Sequence, residues 1–401
     1  MHGIITREIE KIIFEKLLQY PIVAILGARQ SGKTTFVKKI AENLGVFHYF
    51  NLNKWEDLER LYEPETVFNR DEDKAIYCLD NIQLAPELLS PIDRFLASEK
   101  KTQAKFLIAG TMSENSFLNA LPNSRECVYI LFLPPLTLKE LYHPYDFSIN
   151  RHWLRGGFPE SYLATSDSNS INWRDGYLKN FIEHDCPKLG IQLSGMQTYR
   201  LLNTFANYQN NFLNTSKIAD MFQLTHPTIR RYVEMLDKAY MMRLLYPYPF
   251  HTYKRIIKAP KIYIRDSGLL HRLLSIEDIH QLREHPVCSA SWKGYMVENI
   301  ISSLPDWACY FYEAASGYRL DLILMKGERK VAVKIHYSAH EITDNFWNGL
   351  YDIRPDFTFI IVASTSIQKA EENVTLCELS DFLDFMWREI ELQPIKKKHS
   401  Q

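Results

Sequence analysis

The segment Gly27-Ala28-Arg29-Gln30-Ser31-Gly32-Lys33-Thr34 constrains this chain more than any other feature. It follows an apolar run at 21–26 and opens a helical pattern that extends to about residue 44. The order is therefore strand, glycine-bounded loop, helix. The pattern G-x-x-x-x-G-K-[ST] in that setting makes an anion cradle. Its glycines let the backbone curl until several N–H groups face one phosphate. Lys33 adds a charge beside the β- and γ-phosphates, Thr34 offers a hydroxyl to Mg²⁺, and the helix N-terminus favours negative charge. Residues Gly27 to Thr34, with Thr35 behind them, are expected to hold ATP and Mg²⁺. A plain structural turn is the competing reading.

Such a loop needs a buried sheet behind it. Strand-like runs follow at 47–52, 75–79, 105–109 and 128–132, with helical segments between them. That alternation predicts an α/β fold, a parallel sheet covered by helices on both faces. Asp80 ends the run 75–79 and is expected to hold Mg²⁺ through water, although many strands end in an aspartate for no such reason. The next residue, Asn81, can orient a water but cannot accept its proton. Nucleotide binding should survive this and fast hydrolysis should not. Thr111, just past the run 105–109, is placed to reach a γ-phosphate or the attacking water; an ordinary turn residue fits there equally well.

Residues 216–222 and 225–236 have the rhythm of a helix-turn-helix, with Pro227 in the first turn of the second helix. From 238 to 265 there are seven basic residues (Lys238, Arg243, Lys254, Arg255, Lys258, Lys261, Arg265) and no acidic one. Tyr246, Tyr248, Phe250, Tyr253 and Tyr263 are interleaved with them, a composition suited to phosphate-backbone contact. Arg230 and Arg231 on the second helix, with Lys254, Arg255 and Lys258 in the stretch beyond, are the residues expected to touch DNA. The alternative is that the aromatics are core and the module packs against protein.

The 401 residues are enough for two or three domains. A formal net charge of −1 supplies no global field for nucleic acid or membrane, so any such attraction must be local. Six cysteines lie far apart without a CxxC pair, against a disulfide framework or zinc site. The longest apolar runs are strand length, and residues 1–13 lack the apolar core of a signal peptide. A soluble, cytoplasmic protein is expected.

Taken together, GARQSGKTTF, LDNIQ, FLIAGTMS, LPPLTLKEL, LRGGFPESYL, FIEHDCPKLG, TIRRYVEMLDKAYMMRLLYPY, KIYIRDSGLL and VAVK occur in an order that resembles the prokaryotic AAA-type ATPases whose C-terminal half is a domain of unknown function. The resemblance implies a P-loop domain at 1–150, a helical and winged-helix segment at 151–275, a small restriction-nuclease-like α/β domain at 276–392, and a tail at 393–401. It also implies that Arg125 serves as an arginine finger in a homo-oligomer. Asp321 and Lys334 fall on the first carboxylate and the lysine of the nuclease pattern. Ala332 replaces its middle acid and Arg319 stands where an acid often precedes, so no metal-dependent cleavage is expected. Two functions are in view. One is a nucleotide-switched ATPase that drives its C-terminal half. The other is a nucleic-acid-binding or protein-interaction module in which the nucleotide is structural.

Overall fold

The computed structural model describes residues 5–42, 47–70, 75–97, 104–142, 147–249, 257–337, 344–363, 368–371 and 374–391. Five strands, β1 (Ile22–Leu26), β2 (Phe47–Asn51), β3 (Ile76–Asp80), β4 (Lys105–Gly110) and β5 (Val128–Phe132), form one sheet in the order β2-β3-β4-β1-β5. All pairings are parallel. Every residue of β1 is buried, as a central strand covered on both faces requires. Helices Glu10–Gln19 and Lys33–Glu42 cover one face through Ile13, Leu17, Phe36, Val37 and Ile40. Phe68, Leu89, Ile92, Phe95 and Phe117 cover the other. The α/β parallel sheet read from the sequence is the one observed.

Register decides what this sheet presents at its edge. Leu26 pairs with Gly110 and Phe132, while Asp80 pairs with Ala109 and Asn51. The C-terminal ends of all five strands are thus level, and the Gly-rich loop, Asp80 and Thr111 emerge along one line.

Further along, Thr215–Phe222 and His226–Lys238 are two helices joined at Gln223, which adopts a left-handed conformation. Asn214 and Thr225 cap them, each side chain accepting a backbone N–H. A hairpin of β6 (Met242–Pro247) and β7 (Lys261–Ile264) follows. Six more strands complete a mixed sheet: β8 (Ala308–Glu313), β9 (Arg319–Lys326), β10 (Arg329–Ile335), β11 (Phe357–Ile361), β12 (Gln368–Glu371) and β13 (Val374–Cys377). Its order is β12-β13-β11-β10-β9-β8-β6-β7. β6 joins β8 through the pairs Tyr246–Tyr310 and Pro247–Phe311, so one sheet runs across residue 275, where the sequence suggested a division.

The same packing alters the basic stretch 238–265. Arg243 and Arg265 both bind Glu298 at 2.6 Å, and Lys261 binds Glu313 at 2.9 Å. Three of the seven cations are therefore matched by acids from later in the chain. Tyr248 and Tyr263 are buried, while Tyr246 is exposed. Lys254, Arg255, Phe250 and Tyr253 lie outside the described residues.

Two motifs far apart in sequence meet within the segment that follows the first sheet. Asp266 accepts the N–H groups of Gly157 at 2.8 Å and Leu269 at 2.9 Å. Gly156 has φ +78°, and a Cβ there would collide with the Asp266 carboxylate. Gly156→Ala combines left-handed backbone strain with overpacking, so a loss of about 2–4 kcal/mol is expected in denaturant unfolding.

Glu298 supplies a second test. Burial alone would raise its carboxyl, but Arg243 and Arg265 outweigh burial and hold it at about 2, below its ordinary 4.5. A carboxylate depressed in the folded state stabilises fully above its unfolded pKa and loses that contribution as pH falls toward the folded value. The stability difference between wild type and Glu298→Gln should be constant above about pH 5 and shrink between pH 4.5 and 2, followed by urea unfolding at each pH.

Candidate nucleotide-binding site

The loop between β1 and helix Lys33–Glu42 curls because Gln30 (φ 62°) and Gly32 (φ 97°) both adopt left-handed backbone. Gly27 is tight for a different reason: a Cβ there would run into the Leu133 carbonyl oxygen. Arg7 braces the loop from behind. It donates to Ser31 O at 3.0 Å and to Pro134 O at 2.5 Å, and pairs with Glu140 at 2.9 Å.

Lys33 is only 7% exposed. Its ammonium donates to Gly27 O (3.1 Å), Ala28 O (2.7 Å) and Thr111 Oγ1 (3.1 Å). Burial lowers its pKa to about 7, against the opposing pull of Asp80. Ser31 Oγ is buried and has no hydrogen-bond partner among the described residues. A buried orphan hydroxyl is costly unless something else satisfies it. An orphan donor, a buried cation and a curled backbone together fit the phosphates of a nucleotide. Thr34 is half-buried and Thr35 exposed in the first turn of the helix.

Asp80 is 1% exposed and accepts the Tyr49 hydroxyl at 2.8 Å on Oδ2. Burial, then the Asp80 charge, raise the Tyr49 phenol far above its ordinary value, so it remains a donor. Asn81 has φ 67° and ψ 41°, a left-handed conformation that asparagine tolerates better than glutamate. Its amide donates to Asn51 Oδ1 at 3.1 Å and accepts from Gln83 at 3.4 Å; Gln83 in turn accepts the Thr111 N–H at 2.9 Å. A chain of amides thus ties the ends of β2, β3 and β4 together beside Lys33.

Arg125 is not part of this group. It is exposed and bonded to Leu118 O (3.2 Å) and Asn119 Oδ1 (2.5 Å). It precedes β5, and so lies at the end of the parallel sheet opposite the loop, a strand length of roughly 16 Å away. Arg230 and Arg231 are exposed on helix His226–Lys238, with Arg230 bonded to Glu234 at 3.2 Å, and Lys258 is exposed.

In the last sheet, Asp321 meets two lysines rather than a second acid: Lys293 at 2.8 Å and Lys334 at 3.2 Å. Burial would raise its carboxyl; the two lysines and the Ile335 N–H outweigh this and hold it well below the usual range. Ala332 is fully buried and Arg319 exposed. Among the described residues no three His, Cys, Asp or Glu side chains converge to hold a metal.

Sequence reasoning missed Arg7, Tyr49, Asn51, Gln83, Asp185 and Tyr240. Asn51 was reachable, because a level parallel sheet sets the end of β2 beside Asp80. Arg7 and Asp185 carried no signal: they meet the loop across 24 and 156 residues.

Comparison with known proteins agrees with this geometry. Residues 19–142 match the model of an AAA domain, and residues 146–280 that of a domain of unknown function, DUF8612. Fold and match define a P-loop nucleotide-binding protein of the AAA type. The chain belongs to the family of the uncharacterized proteins Rv2008c of Mycobacterium tuberculosis and Mb2031c of Mycobacterium bovis. It is 30% identical to each over 335 residues, spanning 83% of this chain and 74% of theirs. Among solved structures it resembles the Walker-type ATPase PABY2304 of Pyrococcus abyssi at 14% identity and TM-score 0.47, covering 68% of this chain and 96% of that one. RuvB of Thermotoga maritima is similar at 16% identity and TM-score 0.30, covering 61% and 90%. No helix among the described residues is long and apolar enough to cross a membrane.

Lys33 gives a pH test. A phosphate binds its charged form, so below pH 7 the site is already charged, and above pH 7 binding must take up a proton. Affinity for Mg²⁺-nucleotide should fall as pH rises from 7 to 9. Calorimetry at pH 8 in two buffers of different ionisation enthalpy should report uptake approaching one proton.

Proposed function

We propose that this chain binds ATP with Mg²⁺ at Gly27–Thr35 and Asp80, hydrolyses it slowly, and couples its nucleotide state to the C-terminal half. The observation that carries this is Lys33, a buried cation hooked onto its own loop and onto Thr111, beside the orphan hydroxyl of Ser31. ATP's phosphates would take over those contacts, Thr34 would ligate Mg²⁺, and Asp80 would hold it through water. Asn81 and Gln83 would orient the attacking water, as neutral amides do, without accepting its proton. Arg125 faces away from its own cradle, so a role for it at a phosphate requires a neighbouring subunit of a homo-oligomer.

Coupling is supported by direct contact between the loops of the site and the second half. Tyr240 donates to Met112 O at 2.9 Å and stacks on Phe132. The helix pair and hairpin that carry Tyr240 we read as a winged helix, and the domain beyond as a nuclease-like fold without nuclease activity. Ala332 in place of the middle acid and Lys293 paired to Asp321 support that last point, because among the described residues no set of acids converges to hold a metal. DNA contact through Arg230, Arg231 and Lys258 is the second reading, favoured by their exposure and weakened by the pairing of Arg243, Lys261 and Arg265.

Calorimetry should give a micromolar Kd for Mg²⁺-ATP, about 8 kcal/mol, and Lys33→Ala should lose most of it. Equal affinity in the two proteins would sink the assignment. Phosphate release should be slow with or without duplex DNA. Asn81→Glu should speed it by up to about 10²-fold, while lowering stability by about 1–2 kcal/mol for its left-handed backbone. An unchanged rate in Asn81→Glu, with activity abolished in Asp80→Ala, would place the base elsewhere.

A further inference from the structure

The helix Asp167–Asn180 does not end at Asn180 but widens into a π turn, Phe181–Asp185, ahead of Cys186 and Pro187. Pro187 has no N–H, and its ring would strike the carbonyl four residues back, that of Glu183. The chain accommodates it by one extra residue in the turn, and the Cys186 N–H reaches Phe181 O. An added residue rotates everything after it by about 100°. Asp185, at the end of this turn, comes to face the Gly-rich loop. Arg29 Nη1 lies 3.1 Å from one of its carboxylate oxygens and 3.2 Å from the other.

The neighbouring loop residue also meets the helical half. Ala28, the neighbour of Arg29, is buried in the core formed by Phe158, Tyr177, Phe181 and their partners. Consecutive residues of the loop thus meet the helical half, Ala28 within its apolar core and Arg29 through charge. The two contacts differ in how easily they open. Ala28 is 2% exposed, whereas the Arg29 and Asp185 side chains are 47% and 25% exposed. An ion pair so open to water is weakly bound and readily exchanged.

We propose that Arg29 is shared between Asp185 and the terminal phosphate of ATP, and that loss of the Asp185 contact reports the triphosphate to the helical half. The idea rests on the ATP-binding reading above. A guanidinium binds phosphate oxygens in the same forked geometry as a carboxylate, and a phosphate offers more charge. Arg29 belongs to the loop that cradles the phosphates, so exchange needs only a side-chain swing. A ligand shifts an equilibrium by its differential affinity for the two states. Here the differential ligand is the γ-phosphate, which ADP lacks. Once Arg29 turns to it, residues 181–190 lose a tether at the π turn, where helical hydrogen bonding is already irregular.

The test uses the full chain with Mg²⁺ and either ADP or a non-hydrolysable ATP analogue. Hydrogen exchange in 181–190 should rise with the ATP analogue and not with ADP, while both nucleotides protect the Gly-rich loop. Asp185→Asn removes the competing anion. It should bind the ATP analogue about two- to fivefold more tightly, as loss of an exposed ion pair allows, with ADP affinity unchanged and the exchange difference gone. Arg29→Gln should bind both nucleotides but no longer distinguish them at 181–190. Equal exchange at 181–190 with both nucleotides, beside a protected loop, overturns the switch and leaves ATP binding standing. Weaker binding of the ATP analogue by Asp185→Asn also overturns it, because Asp185 would then be positioning Arg29 rather than competing for it. Neither protection nor heat of binding with either nucleotide in the wild type overturns both readings.

Discussion

Arg265 is the side chain on which the arrangement of this protein turns. It follows β7 and is bound by Glu298 from the long helix Cys288–Ser303, at 2.6 Å. Its guanidinium also lies over Phe132, at the end of β5, and over Tyr240, at the end of the second helix of the helix pair, 4.7 and 5.3 Å from the ring centroids. One cation thereby touches the nucleotide-binding sheet, the helix pair and the last domain. Such a contact resists dissection. Burial disfavours the charge and nearby Arg243 adds repulsion; Glu298 opposes both in part, and the guanidinium is held below its ordinary value. Removing the acid would strand two buried cations, which costs several kcal/mol in comparable settings.

With that junction in place, the second half packs over the front edge of the first sheet. Tyr240 reaches Met112, one residue from Thr111, and Thr111 accepts from Lys33. Ala28 is embedded in the helical core and Arg29 paired to Asp185. The nucleotide site is therefore a boundary between two packed bodies rather than a pocket on one. Under the coupling proposed above, a change in the loop would alter contacts on both sides. Contiguity is a physical basis for coupling.

The first sheet was legible in the sequence because its signals are local. Five short apolar runs separated by helical patterns specify buried parallel strands, and all five appear within one or two residues of their expected bounds. The basic stretch 238–265 was read less well. Counting charges along the chain found no acid there, yet Glu298 and Glu313 arrive from 33 and 52 residues beyond Arg265 and Lys261 and bind three of its cations. In the later sheet the runs 320–325, 330–335 and 357–363 read as strands and correspond to β9, β10 and β11, whereas β7, β8, β12, β13 and β6 were not foreseen. The pairs Tyr246 with Tyr310 and Pro247 with Phe311, and the Tyr248 N–H to Phe311 O bond just beyond, tie β6 there, and no periodicity within it announces them.

The sequence by itself determined the loop Gly27–Thr34, its strand and helix, and the residues Asp80, Asn81 and Thr111 at neighbouring strand ends. Glycine positions, apolar period and a single lysine are enough for that, since each acts within a few residues of where it stands. Tertiary structure decided what those residues face. It put Asn81 in a left-handed conformation within a chain of amides, turned Arg125 to the far end of the sheet, and set Asp321 between two lysines. It also brought Arg7 and Asp185 to the loop. These are matters of register and of packing between distant segments, where a shift of one residue, as in the π turn before Pro187, changes which side chain meets which. Local pattern carries no information about such meetings until the whole chain is closed.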